Sequence, residues 1–437
     1  MNLRDRLRRL KPLPAEAQES ESPSEAESPA PRATGATPPE GSTVPRRVFG
    51  PTLEGLAPPL SGDILERPEG RFLRRRTSFP IEHRHGLYAL SEVLDLAPRE
   101  IARFAKDAEL GAIDARSSVF LDTETTSLTG GVGVTVFLTG IAHLEGAHVH
   151  VDQYFMRDFD EEAAMLAALG EALSRFATLV TFFGKNFDRH RLLARFRLHG
   201  MDDPLPRAHL DLCHVGRRMW RRELEDFKLR TAEAKLLDVF RFGDLPGSEA
   251  PEAYFAYLRG QGTELVEKVF EHNLLDVLSL ITLLTRLDRT LREPGTPNEW
   301  FAMGRAEELA GKVEKALAAY SRGLEIWDTV HDPALRRDLL RCKGNSYRRL
   351  HRPAEALETF RLWADLDPLS PEPLIEAAKE LEHRLRSPQA ALELTRRALE
   401  RLGALRRAAA QTTPSPLQQE ILRRLERLGR KTRGPPT

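Results

Sequence analysis

Three apolar residues, Val119, Phe120 and Leu121, run without a break into Asp122-Thr123-Glu124. A short unbroken apolar run reads as a buried strand, and side chains two apart on a strand share a face. Asp122 and Glu124 therefore leave a hydrophobic sheet together. Like charges held that close repel, more strongly where water is scarce. The usual compensation is a divalent cation, and hard carboxylate oxygens suit magnesium or manganese better than zinc. Taken alone, such a pair is more often a polar strand end with two exposed acids. Whether other acids join it decides between the two.

Around this strand (residues 119–124) the chain reads strand, strand, strand, helix, strand, helix. A turn, Thr129-Gly130-Gly131, follows the first strand, and residues 134–142 are almost continuously apolar, as in a central strand. Residues 148–152 alternate, as in a half-buried strand. Met165, Leu169, Leu173 and Phe176 share a helix face, 179–183 is a fourth strand, and 187–199 is a helix closed by Gly200. Upstream, 90–104 reads as a helix, or as a helix with a second short one, and His83 and His85 as polar loop residues. Downstream, 264–290 is a long helix on which His272 and Asp276, four apart, lie side by side. A core-facing Asp is unusual unless it is paired or binds a metal.

The acids now form a set: Asp122 and Glu124 on a strand, Asp188 at the start of a helix, and Asp276 on the late helix. Four carboxylates can hold two divalent ions, Mg2+ or Mn2+, which at about 4 Å apart clamp the attacking and leaving oxygens of a phosphodiester. His272 is the candidate general base, because imidazole titrates near working pH. The bland alternative for His272 is a satisfied core histidine.

Composition limits what else the chain can be. Its 437 residues suit two or three domains, and its formal net charge is zero, so any basic surface is local. Two distant cysteines, Cys213 and Cys342, point to a reducing compartment and away from disulfides or thiolate zinc sites. The basic first ten residues lack the apolar core of a signal peptide, and no run reaches the roughly 18 apolar residues of a membrane span. The expectation is a cytoplasmic protein without membrane contact.

Residues 1–70 read as a disordered, Pro/Ser/Glu-rich region, because they hold too little apolar surface to offset chain entropy. Residues 71–115 are then an N-terminal extension, 116–292 the α/β catalytic domain, 297–403 a helical repeat domain and 404–437 a basic tail. The joint Glu293-Pro294-Gly295-Thr296-Pro297 separates the domains. Beyond it, Ala316-Leu317 recurs as Ala356-Leu357 and Ala391-Leu392, spacings of 40 and 35 against the period of about 34 in tetratricopeptide repeats. Such repeats stack helical pairs into a concave face that suits a protein partner. The tail (Arg406, Arg407, Arg423, Arg424, Arg427, Arg430, Lys431, Arg433) is either a solvated helical end or a nucleic-acid contact. Arg217, Arg218, Arg221 and Arg222 surround Trp220. They grip phosphates while the ring stacks on a base, or they are the solvated face of a helix with Met219 and Trp220 inward.

Asp122-Thr-Glu-Thr-Thr, Phe187-Asp188 and His272-Asn273-x-x-Asp276 resemble the three motifs of the DEDD exonuclease superfamily. More narrowly, residues 70–290 resemble the YprB-type ribonuclease-H-like proteins, with further matches at Gly140, Gln153-Tyr154-Phe155, Leu210-Asp211-Leu212, Lys228-Leu229-x-Thr-x-Glu233 and Asp244-x-Pro246-Gly247. The resemblance implies a mixed sheet flanked by helices and a 3′-to-5′ exonuclease acting on DNA or RNA by two metal ions. It also implies Asp122, Glu124, Asp188 and Asp276 as metal ligands, with His272 where relatives carry Tyr or His. Two departures stand out. Phe183 occupies a position where the family often has Asn, and the His-x-x-x-Asp spacing matches the tyrosine subclass. A competing reading is a catalytically idle adaptor that binds proteins through its repeats.

Overall fold

A computed structural model of the chain describes residues 60, 62–127, 133–261, 263–326, 332–409, 413 and 415–433. The turn at 129–131 and residues 1–59, with the disorder expected there, lie outside the described residues. That expectation does not reach residue 70. Strand β1 (Asp63–Arg67) pairs antiparallel with β2 (Gly70–Pro80), setting Leu65 opposite Phe72. Phe72 and Leu73 are buried, and through their strand β1 is held to the sheet. The supposed extension therefore supplies β2 to the main sheet.

Among the described residues that sheet has seven strands: β1, β2, β3 (Ser118–Thr125), β4 (Val136–Glu145), β5 (His148–Phe155), β6 (Thr178–Thr181) and β7 (Ala208–Asp211). Their order is β1-β2-β5-β4-β3-β6-β7. β3 runs parallel to β6, and β6 parallel to β7, while the other pairs are antiparallel. This is the expected mixed sheet. The central strand β3 is covered on both faces, which is why it reads as a solid apolar run.

The stretch expected to be one helix, or one with a second short helix, is two elements: a 3-10 turn over Leu90–Leu94 and helix α1 (Pro98–Ala105), which Pro98 opens. On one face of the sheet lie α2 (Glu162–Leu173) and α3 (Asp188–Leu198), burying Leu166, Leu169, Leu192 and Phe196 with Val119 and Leu121. Helices α4 (Leu212–Trp220) and α5 (Ala250–Leu258) lead to α6 (Glu264–Arg292) on the other face. Phe120 packs there with Leu274, Val277 and Leu278. Asp122 and Glu124 are in register with Phe120, so they too face α6.

The C-terminal region is all helical: α7 (Pro297–Leu309), α8 (Val313–Glu325), α9 (Pro333–Arg349), α10 (Pro353–Leu366), α11 (Glu372–His383), α12 (Pro388–Ala408) and α13 (Pro416–Arg433). Each packs on the next. The internal repeat is visible in the packing. A Cβ at Gly304 would stand 2.4 Å from the Tyr320 ring, and one at Gly344 would stand 2.4 Å from the Phe360 ring. The joint after Arg292 is not loose. Thr296 caps α7, and Trp220 Nε1 donates to Glu299 Oε1 at 3.0 Å, so α7 is seated on α4.

The basic tail is a packed helix. Ile421 and Leu428 of α13 are buried, and Glu382 on α11 accepts from Arg424, Arg427 and Lys431 at 2.8–2.9 Å. Those three cations are spent inside the fold. No described helix is long and apolar enough to cross a membrane.

Candidate active site

Four elements converge on the outer end of β3. Asp122 lies opposite Gly140 on β4, and Glu124 opposite Leu138, with a register irregularity directly after Glu124. Such bulges re-aim a strand's last side chains. Gly140 is required here by contact rather than by backbone angle. A Cβ on it would sit 2.0 Å from Asn273 Oδ1. The vacant space admits Asn273, whose Nδ2 donates to Asp122 Oδ2 at 2.9 Å. Gln153 on β5 donates to Asn273 Oδ1 at 3.0 Å and to the Phe270 carbonyl at 2.8 Å, which fixes the amide's direction. Gly140, Gln153 and Asn273 thus form one device that aims Asp122.

Asp188 arrives from the opposite face as the first residue of α3. Thr123, between the two strand acids, points to that face and donates through Oγ1 to Asp188 Oδ1. Asp276 comes from α6, one turn after His272. His272 Nε2 lies 3.4 Å from Asp276 Oδ2, and its Nδ1 lies 2.9 Å from Asp244 Oδ1.

Glu124, Asp188 and Asp276 are buried and Asp122 is half-buried. Burial, then the charges of Asp276, Asp188 and Glu124, push the Asp122 carboxyl well above the usual range, against the pull of its Asn273 bond. Burial also raises Glu124 to about 8, with Asp276 and Asp188 adding to the rise and His272 opposing it. Asp188 rises to about 7, mainly by burial, although its bond from Thr123 works the other way. The charges of Asp276 and Asp188 thus reach both strand acids.

His272 behaves differently from a waiting base. Burial lowers its pKa, but Asp276, the bond to Asp244 and Glu124 outweigh it and carry it to about 9. At neutral pH it holds a proton, so in this state it cannot accept another.

A cation already stands among these acids. Arg241 Nη2 donates to Asp276 Oδ1 at 2.5 Å and to Glu233 Oε1. Ser279 Oγ also donates to Glu233, at 2.5 Å, and His85 Nε2 lies 2.7 Å from that hydroxyl. Burial and Arg241 drive His85 down to about 3, so it is a neutral, buried member of the network rather than a polar loop residue. Arg241 was not singled out from the sequence. It is one arginine in an Arg-rich chain, and its contact spans 35 positions. Asp244 and Glu233 were visible only as motif matches.

The donor set of Asp122, Glu124, Asp188 and Asp276 is wholly carboxylate oxygen, which fits a hard divalent cation. Among the described residues, no three Asp, Glu, His or Cys side chains form a ready ligand cage. Asn273, Thr123 and Arg241 hold three of the acids toward internal partners instead.

The expected arginine patch divides. Trp220 is 1 % exposed, packed under Arg286 and bonded to Glu299, so its ring cannot stack on a base. This corrects the expectation: the indole completes the seam between α4 and α7, and the inward alternative holds. Arg217 lies exposed over Phe227, Arg218 donates to the Phe104 carbonyl, and Arg222 pairs with Asp338. Phe183, at the end of β6, has a left-handed φ of 65° and is held by its N–H bond to Asp211 Oδ1 at 2.9 Å. Asn186 instead meets His214 Nε2 at 2.6 Å.

A family model of the RNase H superfamily matches residues 119–288. The chain is 30% identical over 341 residues, covering 75% of its own length and 80% of the relative, to a Bacillus subtilis (strain 168) protein named "Uncharacterized protein YprB". Among solved structures, the family B DNA polymerase from the hyperthermophilic archaeon Pyrobaculum calidifontis aligns at 15% identity with a TM-score of 0.33. That alignment covers 47% of this chain and 29% of the polymerase.

Proposed function

We propose that this chain, which belongs to the YprB family within the RNase H superfamily, is a metal-dependent nuclease that trims DNA or RNA from the 3′ end. One observation carries the reading: four carboxylates from β3, α3 and α6 converge in a mostly buried pocket, where the charges of Asp276 and Asp188 add to burial in raising the proton affinity of Asp122 and Glu124. Such an arrangement is costly unless cations relieve it.

Asp122, Glu124, Asp188 and Asp276 would hold two divalent ions, magnesium or manganese. Bound there, the ions would supply a nucleophilic hydroxide at neutral pH and stabilise charge on the phosphate. The chain's own part is positioning. Asn273 aims Asp122 and Thr123 aims Asp188. Asp244 fixes the His272 ring through Nδ1, leaving Nε2 toward Asp276. His272 takes a proton from water only after Asp276 and Glu124 cease to hold its own, so its role is to orient water first and to act as base second. The buried free thiols Cys213 and Cys342 accord with a reducing cytoplasm, and the helical region with a protein partner.

The test is cleavage of 5′-labelled single-stranded DNA and RNA with magnesium or manganese. A ladder shortening from the 3′ end, abolished in Asp122→Asn, supports the reading. Equal activity in that variant removes these residues from the chemistry.

A second reading, the idle adaptor, is favoured by the Arg241 guanidinium set against Asp276. Calorimetry separates the two: manganese binding with measurable heat favours the nuclease, and its absence at millimolar metal favours the adaptor.

A further inference from the structure

A cleft of about 470 Å³ lies between α4 and α7, where the two domains meet. Arg218, Arg221 and Arg222 enter it from the end of α4, and Asn298, Phe301 and Arg305 from α7. No carboxylate is among its lining residues. The chain's net charge is zero, so four guanidiniums around one cavity are a local concentration and not an average.

Their own partners leave charge over. Arg222 pairs with Asp338 and, at 3.7 Å, with Asp332, and Arg305 pairs with Glu308, all acids outside the lining. Arg218 is half-buried and donates only to the neutral Phe104 carbonyl. Arg221 is exposed and has no hydrogen bond or ion pair to any described residue. Arg218 and Arg221 therefore leave positive charge uncompensated by carboxylates at the cleft, which an external polyanion relieves.

The residue types narrow the anion. All four cations are arginine, whose planar fork matches phosphate and also stacks on flat rings, unlike the point charge of lysine. Phe301 lies half-buried with the Arg222 guanidinium 5.3 Å from its ring centroid, giving the cleft an aromatic wall. Guanidinium and aromatic surface together are the composition of single-strand nucleic-acid sites.

The distance also fits. Arg286 lies over Trp220, the residue before Arg221, and ten α6 positions separate Arg286 from Asp276, about 15 Å at helical rise. An extended single strand spaces its phosphates about twice as widely as the ~3.4 Å rise per strand of a duplex, so roughly two or three nucleotides cover 15–20 Å.

We propose that this cleft holds the phosphodiester backbone of a single-stranded nucleic acid roughly two or three nucleotides from the end engaged at the acid pocket. Both domains then grip one strand. The proposal rests on the nuclease reading for the placement of that end.

The test uses the full chain in EDTA and fluorescence anisotropy with oligothymidylates of about 20 and about two nucleotides, over a salt series. In Arg221→Glu the affinity for the long strand is expected to fall about tenfold or more, and the salt slope to drop by about one. The long-to-short affinity ratio falls with it, and Arg221→Lys restores most of the loss. Matching circular dichroism and melting midpoints establish folding, and Arg305→Gln serves as the second variant. Unchanged long-strand affinity and slope in both overturn the proposal, as does unchanged DNA binding with lost binding of a polyglutamate peptide. Cleavage by the wild type with manganese is scored in parallel. Cleavage with no effect of the arginine variants sinks the cleft alone, and arginine-dependent binding without cleavage sinks the nuclease reading alone. Neither binding nor cleavage sinks both.

Discussion

Arg241 Nη2 donates to Asp276 Oδ1 at 2.5 Å while the same nitrogen serves Glu233, so one guanidinium braces two buried carboxylates. The contact gives Asp276 a positive partner within the protein, one that would compete with any ion needing Asp276.

That competition is measurable. Arg241→Gln leaves Asp276 and Glu233 buried beside each other without their shared charge partner. The metal-free variant is expected to lose roughly 3–5 kcal/mol of stability. Manganese is expected to raise its melting temperature more than it raises that of the wild type, because the ion then meets no rival. Thermal scans with EDTA and with manganese check this. Equal metal-induced shifts in the two proteins would place Asp276 outside the metal site.

Gly140→Ala tests the device that aims Asp122. The new methyl would drive into Asn273 Oδ1, which must withdraw from Asp122 and Gln153. Overpacking of this kind costs roughly 1–3 kcal/mol, and nuclease activity is expected to fall by more than a comparable loss of stability explains. Gly111→Ala is the control, since a Cβ there meets nothing within 4 Å. A Gly140→Ala protein with the midpoint and activity of the control contradicts the assignment.

The pH dependence has a definite sign. Glu124 and Asp188 are raised to about 8 and about 7 in the folded chain, and His272 to about 9. Groups raised in the folded state bind more protons there than in the unfolded state, so their contribution is present at low pH and lost as pH rises through the folded values. The metal-free chain is therefore expected to lose stability steadily from about pH 5 to about pH 9. Saturating manganese should flatten or reverse that slope, because metal binding needs the deprotonated acids. Urea midpoints at several pH values, with and without metal, check both. A metal-free midpoint that climbs over this window contradicts the pocket.

Glu382 is the opposite case at the far end of the molecule. Bonds from Arg427 and Lys431 hold its carboxyl down, at about 2. Its contribution is complete above the ordinary carboxylate range and is lost as pH falls through about 4 toward 2. Glu382→Gln is expected to weaken the docking of α13 by roughly 2–3 kcal/mol, read as earlier proteolysis within residues 415–433. Unchanged cleavage kinetics would show that apolar Ile421 and Leu428 carry the docking alone.

Much of the pocket was legible because strand and helix periods carry it. Two-residue spacing put Asp122 and Glu124 on one face, and four-residue spacing put His272 beside Asp276. What stayed hidden depended on contacts between distant segments. Arg241 reaches Asp276 across 35 positions, and the Gly140–Asn273–Asp122 contact joins two strands to a helix. Trp220 was open to two readings because one helix turn can present its indole to solvent or to a neighbour, and only Glu299 of α7 decides it. At both ends, charge masked order. β1 sets Ile64 and Leu65 between Asp63 and Glu66-Arg67, and the α13 arginines drew attention from the stripe of Ile421 and Leu428.

The central claim is that Asp122, Glu124, Asp188 and Asp276 hold divalent metal. Anomalous diffraction at the manganese edge from manganese-soaked crystals tests it most directly. The account expects one or two peaks bounded by these four carboxylates, with Arg241 withdrawn from Asp276. Saturating manganese with no peak in the pocket, or with peaks only elsewhere, would contradict it.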